Sequence, residues 1–162
     1  MQQPLFSERQ KFKLIWMWLI LIPIGLLMLY GLVQQIIFDI PFGGNPAPNA
    51  VLLQGALIPF GIAVLFYLLT LETYIDEQQI KFKFYPLLKE RSYRWEEIDT
   101  AEVINYGFVG GWGIRWGTKY GTVYNTSGKM GMRIVLKSGK KFVIGTQQPE
   151  KADAVIKKIT QA

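Results

Sequence analysis

The sequence lacks both cysteine and histidine throughout its 162 residues. Without cysteine, the chain cannot form a disulfide, hold a metal ion through thiolates or use a thiol as a nucleophile. Without histidine, it has no Ser-His-Asp triad, and it lacks the commonest general base and the usual ligands of zinc and haem. A carboxylate-only metal site and acid/base chemistry by carboxylates remain possible. We therefore expect a protein that is not an enzyme and that holds no cofactor and no metal ion.

Charged residues are absent from two long stretches, residues 14–33 and residues 50–71. A helix of about twenty residues rises about 30 Å, which is the thickness of the hydrocarbon core of a bilayer. We expect both stretches to be transmembrane helices. Residues 34–49 are rich in proline and glycine, and we expect them to form an outer loop that lies on lipid. This gives three regions: a polar tail at residues 1–13, a transmembrane hairpin at residues 14–71 and a separate domain at residues 72–162.

Both apolar stretches contain the pattern Leu-Ile-Pro-x-Gly, at residues 21–25 and 57–61. Proline cannot bond to the carbonyl four residues earlier, so each pattern favours a kink. Gly55, Pro59 and Ala63 follow at a spacing of four and form a stripe of small residues that allows close helix packing. The functional interpretation of the two prolines is a hinge or a shared site. The alternative, which we favour, is helix packing or coincidence in a sequence rich in leucine and isoleucine.

Basic residues flank both outer ends of the hairpin and avoid its loop. Residues 1–13 contain three basic residues and one acidic residue, and the chain from residue 72 onward contains fifteen basic and ten acidic residues. The loop contains only Asp39. The positive-inside rule then places both termini in the cytoplasm, in a multi-pass protein of the inner (cell) membrane. This topology and an anionic inner leaflet account for the isoelectric point of about 9.5 without a nucleic-acid partner.

Beyond the hairpin, hydrophobic residues alternate with polar ones as in β-strands. In residues 79–85, Ile80, Phe82 and Phe84 face one way and the intervening lysines face the other. Further strands are predicted at residues 73–76, 91–95, 101–106, 113–116, 122–125, 132–136 and 141–145. Pro149 favours the start of a helix, whose apolar stripe consists of Ala152, Val155, Ile156 and Ile159. Antiparallel strands followed by one amphipathic helix predict a small β-barrel or sandwich that the helix closes.

Four segments of this region occur in a recognisable order: WEEI at residues 95–98, GWGIRWG at 111–117, YNTSG at 124–128, and residues 131–149 before the final helix. In this order, and beneath a two-helix hairpin, they resemble the bacterial pleckstrin-homology-like (PH-like) membrane proteins. The resemblance implies a membrane α-helical hairpin plus a mainly-β domain, a PH-like split β-barrel capped by the C-terminal amphipathic helix. It implies no catalytic residues. It also implies a binding or assembly module.

One candidate site is a basic group formed by Lys83, Lys89, Arg91 and Arg94. The first three match the K-x(n)-[K/R]-x-R pattern with which eukaryotic relatives bind phosphoinositides, and the resemblance therefore implies contact with a lipid headgroup. The alternative is a solvated face that serves only as a topology signal.

A second candidate site lies in residues 105–131, which are dense in glycine and aromatic residues. Glycine lets a ligand approach the backbone, aromatic rings stack, and arginine binds carboxylate or phosphate. If this stretch forms a pocket, we expect Trp112, Arg115, Trp116 and Tyr124 to line it. The alternative, which we favour, is a structural role, with glycine at bends and aromatic side chains in the core.

These features favour a non-enzymatic inner-membrane protein whose cytoplasmic PH-like domain is a protein-interaction or assembly module. Its partners would be the lipid bilayer and either another protein or its own copies. The alternative is a module that senses anionic lipid or phosphate groups at the inner leaflet. The sequence does not specify the ligand, the oligomeric state or the role of residues 34–49.

Overall fold

The computed structural model describes residues 4–12 and 15–161, without the side chain of Trp16. The helices are α1 (Ile15–Ile37), α2 (Asn49–Leu68) and α3 (Pro149–Thr160). The strands are β1 (Phe6–Lys11), β2 (Thr70–Ile75), β3 (Gln79–Tyr85), β4 (Leu88–Arg94), β5 (Ile98–Asn105), β6 (Gly113–Thr118), β7 (Gly121–Asn125), β8 (Met130–Leu136) and β9 (Lys141–Gly145). A short 3₁₀ turn occupies Trp95–Glu97. The chain divides into two units: a helical hairpin at Leu14–Leu68, and a β unit formed by Met1–Lys13 with Leu69–Ala162.

The helical hairpin consists of α1 and α2, both of which are long and apolar enough to cross a membrane. The helices pack closely at small residues. A methyl group added at Gly25 would lie 3.2 Å from the Phe60 ring, and one at Gly55 would lie 3.3 Å from the sulfur of Met28. Pro59 is buried, whereas Pro23 in α1 is exposed. The two prolines therefore differ in their surroundings, which favours packing over a shared site.

The connection between α1 and α2 is organised by Gln35. Its side-chain amide donates hydrogen bonds to the carbonyl of Ala47 at 2.9 Å and to the side chain of Asn49 at 2.6 Å. Its side-chain oxygen accepts a bond from the backbone of Phe42 at 3.4 Å. The ring of Phe42 packs edge-on against Tyr30. The connection is thus held to the end of α1, which extends four residues beyond the predicted limit at residue 33.

The first sheet has the order β1-β2-β3-β4, and all its strand pairs are antiparallel. Here the structure differs from the sequence prediction, which treats residues 1–13 as a polar tail. Phe6–Lys11 is a strand, and it pairs with β2 from Phe6 opposite Ile75 to Lys11 opposite Thr70. The helical hairpin is therefore an insertion between two neighbouring strands of one sheet.

The second sheet has the order β5-β8-β9-β7-β6, with one parallel pair, β7 and β9. The two sheets pack face to face. The ring of Phe82 in β3 lies 4.9 Å from that of Tyr124 and 5.6 Å from that of Phe142 in the second sheet. The described strands form two separate sheets and do not close into a barrel. The structure thus supports a mainly-β domain with a C-terminal helix, but it does not show the predicted split barrel.

Several predicted elements are confirmed. Strands β3 and β9 have the predicted limits, and α3 begins at Pro149. Ala152 and Ile156 on the predicted stripe of α3 are buried, and α3 contacts β5, β8 and β1. Strand β3 shows a regular alternation and helix α3 a regular helical stripe, whereas β9 is a short apolar run between Lys141 and Gly145.

Candidate binding surfaces

Strand β1 is fixed to the second sheet by a buried polar cluster. The carboxylate of Glu8 accepts hydrogen bonds from the hydroxyl of Thr146 at 2.6 Å and from the backbone of Gln147 at 2.8 Å. The amide of Gln10 donates to the carbonyl of Gly145 at 2.7 Å and accepts a bond from the hydroxyl of Thr126 at 3.1 Å. Both β1 side chains are buried, and all these groups are used in bonds within the fold. The cluster is therefore structural.

The outward face of the first sheet, opposite to the Phe82 side, is basic. Residues directly opposite each other in antiparallel strands share a face. The register therefore aligns Arg9, Glu72 and Lys83 in one row, and Tyr74 and Lys81 in the next. The charged residues of this face, which we call the basic face, are Arg9, Lys11, Lys81, Lys83, Lys89, Arg94, Glu72 and Glu90. The basic face thus carries six basic and two acidic residues.

Glu72 lies at the centre of the basic face. Its carboxylate contacts Lys83 at 2.8 Å and Arg9 at 3.2 Å, and it accepts a hydrogen bond from the hydroxyl of Tyr74 at 3.1 Å. Burial alone raises the pKa of Glu72, but the hydrogen bonds of Lys83 and Tyr74 and the charges of Lys83 and Arg9 outweigh it, so the pKa is lowered. The hydrogen bond and charge of Glu72 in turn raise the pKa of Lys83. Both groups are thus held in their charged forms.

The predicted basic group does not form one site. Arg91 lies opposite Phe82 in the register, and its guanidinium donates to the hydroxyl of Tyr124 in the second sheet at 3.3 Å. It therefore lies on the inward side. Lys89 and Arg94 are exposed, and Arg94 lies opposite Gln79, at the far end of the strand from Lys83.

The cause of this division is a β-bulge. Between Phe82 and Phe84 the register shifts, so that two residues of β4, Lys89 and Glu90, oppose Lys83 alone. A bulge changes the alternation of the strand beyond it. Lys89 consequently joins Lys83 on the basic face while Arg91 turns inward. The structure adds Arg9 and Lys11, which the sequence analysis assigns to a tail.

The four residues of the predicted pocket are likewise separated. Tyr124 is buried between the sheets beside Phe82. Arg115 lies opposite Val123, which packs on the other side of the second sheet with Tyr106 and Val143. The guanidinium of Arg115 donates to the backbone carbonyl of Trp112 at 2.9 Å, and Trp116 is 76% exposed. The structure therefore brings Trp112 and Arg115 together but places Tyr124 on the opposite face.

The segment before β6 covers this other side of the second sheet. The hydroxyl of Tyr106 donates to the carbonyl of Gly128 at 3.3 Å and accepts a bond from the amide of Asn125 at 3.1 Å. Burial raises the pKa of Tyr106, and the bond from Asn125 opposes this effect in part. Tyr106 is thus packed into the second sheet, whereas Phe108 and Trp116 of the same stretch are exposed.

Strand β6 leaves one edge of the second sheet without a strand partner among the described residues, since it pairs only with β7. Trp116 within β6 and Phe108 in the segment before it are the most exposed large hydrophobic side chains of the described β unit, at 76% and 78%. The edge is bent, because the register shifts between Arg115 and Thr118. This edge and its two aromatic residues form a second candidate surface, which we call the β6 edge.

A polar cleft of about 560 Å³ lies where β2 turns into β3, with Glu77, Arg94 and Glu96 among its lining residues. It contains acidic and basic groups together. Within residues 4–12 and 15–161, no group of three acidic side chains is arranged to hold a metal ion. Because the charges of its lining residues are mixed, the cleft does not favour either anionic or cationic ligands.

The fold and these surfaces define a β unit of two packed sheets that carries an inserted hairpin with two candidate membrane spans. No family model, curated protein or solved structure matches the chain. The assignment of a function therefore depends on the contacts and charges of its own residues.

Proposed function

We propose that this protein is a non-enzymatic protein of the cell membrane whose β unit binds a protein partner on the cytoplasmic side. The observation that carries the proposal is the β6 edge, which has no strand partner within the described part of the chain and which exposes Phe108 and Trp116. An unpaired strand edge is a template for strand addition, and exposed aromatic side chains supply much of the energy in protein interfaces.

The geometry of β6 limits how a partner would bind. Its regular pairing with β7 extends from Gly113 to Arg115, before the register shifts. A partner strand would therefore add only a short ladder of hydrogen bonds. Most of the affinity would come from apolar contact with Trp116, whose exposed ring lies in the bent part of the strand.

The placement in a membrane rests on the hairpin and the charges. Helices α1 and α2 have the length and composition of spans. The chain leaves the first sheet at Lys11 and re-enters it at Thr70, the residue paired with Lys11. A hairpin that crosses a bilayer twice returns to the side that it left. The positive-inside rule favours the cytoplasm for that side, because the basic residues lie there.

A relationship to the PH-like membrane proteins is also a proposal. Two packed, mostly antiparallel sheets followed by a C-terminal helix support it. The parallel pairing of β7 with β9 and the strand that precedes the hairpin are departures from the expected split barrel.

Site-specific photocrosslinking in the native membrane tests the protein-binding proposal. A photoreactive residue in place of Trp116 should give a discrete adduct, because a bound partner covers this side chain. The matched control is the same residue in place of Lys137, an exposed position in the turn between β8 and β9. Adducts that are absent at 116, or identical at both positions, would contradict the proposal. An adduct at twice the mass of the chain would identify the partner as a second copy.

A second candidate function is contact with anionic lipid at the inner leaflet, and the basic face is the observation that favours it. Basic residues near an anionic membrane surface contribute about 1 kcal/mol each. Here Lys83 and Lys89 lie side by side in the bulge, toward the end of the sheet at which Thr70 follows α2. The other basic residues extend the same charge across β1 and β3.

A further inference from the structure

The β3–β4 turn has an unusual composition for an exposed turn. The turn is Pro86 and Leu87, and it follows Tyr85, the last residue of β3; Lys83 lies two residues before Tyr85 and Lys89 two residues after Leu87. Tyr85 is 55% exposed and Leu87 is 52% exposed. An apolar tip between two lysines is the pattern of a segment that lies at a membrane interface, where apolar and aromatic groups enter the lipid and lysines stay at the headgroups.

The register locates this turn at one end of the first sheet. Tyr85 lies opposite Thr70, and Thr70 lies opposite Lys11. These three residues form the last row of the sheet. The turn that joins β2 to β3, at residues 76–78, lies at the other end of β3, about 20 Å away for a strand of this length.

The covalent chain ties the same end of the sheet to the hairpin. Helix α2 ends at Leu68 and β2 begins at Thr70, so Leu69 alone separates them. Two residue steps of extended chain span at most about 7 Å. If α2 crosses the bilayer, the row of Lys11, Thr70 and Tyr85 begins where the chain leaves the lipid.

We propose that the β3–β4 turn is a membrane-contact element, in which Tyr85 and Leu87 enter the interface of the bilayer and Lys83 and Lys89 contact anionic headgroups. The occupant of this surface is the lipid bilayer that holds the hairpin. This inference extends the second candidate function, which is contact with anionic lipid. The role of the lysines rests on that function. The entry of Tyr85 and Leu87 into the bilayer does not, and it can be tested separately.

The absence of cysteine makes a direct test possible, because one introduced cysteine is the sole site of labelling. Full-length Leu87→Cys is labelled with an environment-sensitive fluorophore and reconstituted into bilayers of neutral phosphatidylcholine, with or without anionic phosphatidylglycerol. Lipids with a spin label on the acyl chain report contact by quenching. The matched control is Glu77→Cys, an exposed position in the turn at the other end of β3.

We expect a blue-shifted emission and a roughly twofold loss of fluorescence at Leu87→Cys, as for a group about 5–10 Å below the headgroups. At Glu77→Cys we expect water-like emission and no quenching by lipid. Equal, water-like signals at both positions would overturn the proposal. A blue shift at Leu87→Cys without quenching by lipid would also overturn it, because the turn would then be covered by protein.

The role of the lysines is tested in the same labelled protein. Lys89→Glu should reduce the quenching at Leu87→Cys in anionic bilayers, whereas Lys137→Glu, the same change in the distant β8–β9 turn, should leave it unchanged. Quenching that is equal in neutral and anionic bilayers and insensitive to Lys89→Glu would support entry of the tip and contradict the lipid-sensing function. If anionic lipid instead binds to the basic face but gives no quenching at Leu87→Cys, this result would support the lipid-sensing function and contradict entry of the tip into the bilayer.

Discussion

Gln10 donates a hydrogen bond of 2.7 Å to the carbonyl of Gly145, a residue 135 positions further along the chain. One partner precedes the helical hairpin and the other ends the last strand of the second sheet. The bond is buried, and Gln10 is only 1% exposed. The two ends of the chain are thus joined inside one β unit, with the hairpin inserted between them.

The first prediction concerns this bond. Gln10→Ala should lower the free energy of unfolding by about 1–3 kcal/mol, because it leaves the carbonyl of Gly145 and the hydroxyl of Thr126 buried without their partner. The measurement is the midpoint of thermal unfolding of the full-length protein in detergent, followed by near-ultraviolet circular dichroism. Ser7→Ala, an exposed change on the same strand, is the control and should leave the midpoint unchanged. Equal midpoints for both variants would contradict a role of the polar cluster.

The second prediction compares two buried threonines. Among the described residues, the hydroxyl of Thr73 finds no hydrogen-bond partner, whereas that of Thr146 donates to Glu8 and accepts a bond from Gln148. Thr73→Val should raise the free energy of unfolding by about 1 kcal/mol, because it removes a desolvated polar group at nearly constant shape. Thr146→Val should lower it by about 1–3 kcal/mol. The unfolding midpoints of both variants are measured in the same way. If both midpoints rise or both fall, the difference in hydrogen bonding between the two hydroxyls does not determine their effect on stability.

The third prediction concerns the pH dependence of Glu72, whose folded-state pKa lies below its ordinary value of 4.5. A lowered pKa contributes stability that is fully present above the unfolded-state value and is lost as the pH falls through the folded-state value. Glu72→Gln should therefore be less stable than the parent at neutral pH, and the difference should shrink below about pH 4.5. Unfolding midpoints from pH 7 downward measure this effect. Glu77→Gln, the same charge change in an exposed turn, is the control, and a similar curve for both variants would argue against the contacts of Glu72.

The fourth prediction tests whether the β unit folds without the hairpin. Because Lys11 pairs with Thr70, Phe12 and Leu69 are the next opposed positions, and an Asn-Gly turn suits such a connection. A chain of residues 4–12, Asn-Gly and residues 69–161 should be soluble and folded, with dispersed amide signals in nuclear magnetic resonance spectra. Residues 72–161 alone should not fold, since they lack β1 and the start of β2. A folded spectrum for the shorter chain would show that β1 is dispensable.

The fifth prediction concerns the helical hairpin. A methyl group added at Gly31 would lie 2.5 Å from the Phe42 ring, whereas one added at Gly61 meets no atom within 4 Å. Gly31→Ala should destabilise the packing of the α1–α2 connection by about 1–3 kcal/mol, and Gly61→Ala should not. Protease cleavage within residues 38–48 of the reconstituted protein reports the difference. Equal cleavage of the two variants would contradict the contact.

The sequence predicted those elements whose periodicity is visible within one segment. Strand β3 alternates apolar and basic residues, and the stripe of α3 follows a helical spacing. In β1 the buried positions Glu8 and Gln10 are polar, so the strand resembles a solvated tail. Its strand partners lie beyond the hairpin, from Lys11 with Thr70 to Phe6 with Ile75, and no local pattern identifies them.

The candidate sites were less predictable, because each depends on the register between strands. The bulge opposite Lys83 separates Arg91 from Lys89, although these residues are only two positions apart. Tyr124 and Arg115 belong to paired strands, yet their register directs them to opposite faces of the sheet. A shift of one residue reverses the face of a side chain, and the sequence alone does not fix such a shift.

The position of β1 has a consequence for biosynthesis. At about 5–20 residues per second, the ribosome reaches Gly145 roughly 7–27 s after it has added Gln10. Strand β1 thus meets its contacts in the second sheet only after β9 has been synthesised, long after its partner strand β2. A chain that stops before Gly145 contains all of the first sheet but lacks the groups of residues 145–147 that bond to Glu8 and Gln10. Such a product would leave the carboxylate of Glu8 without its donors Thr146 and Gln147, which lowers the stability of the β unit.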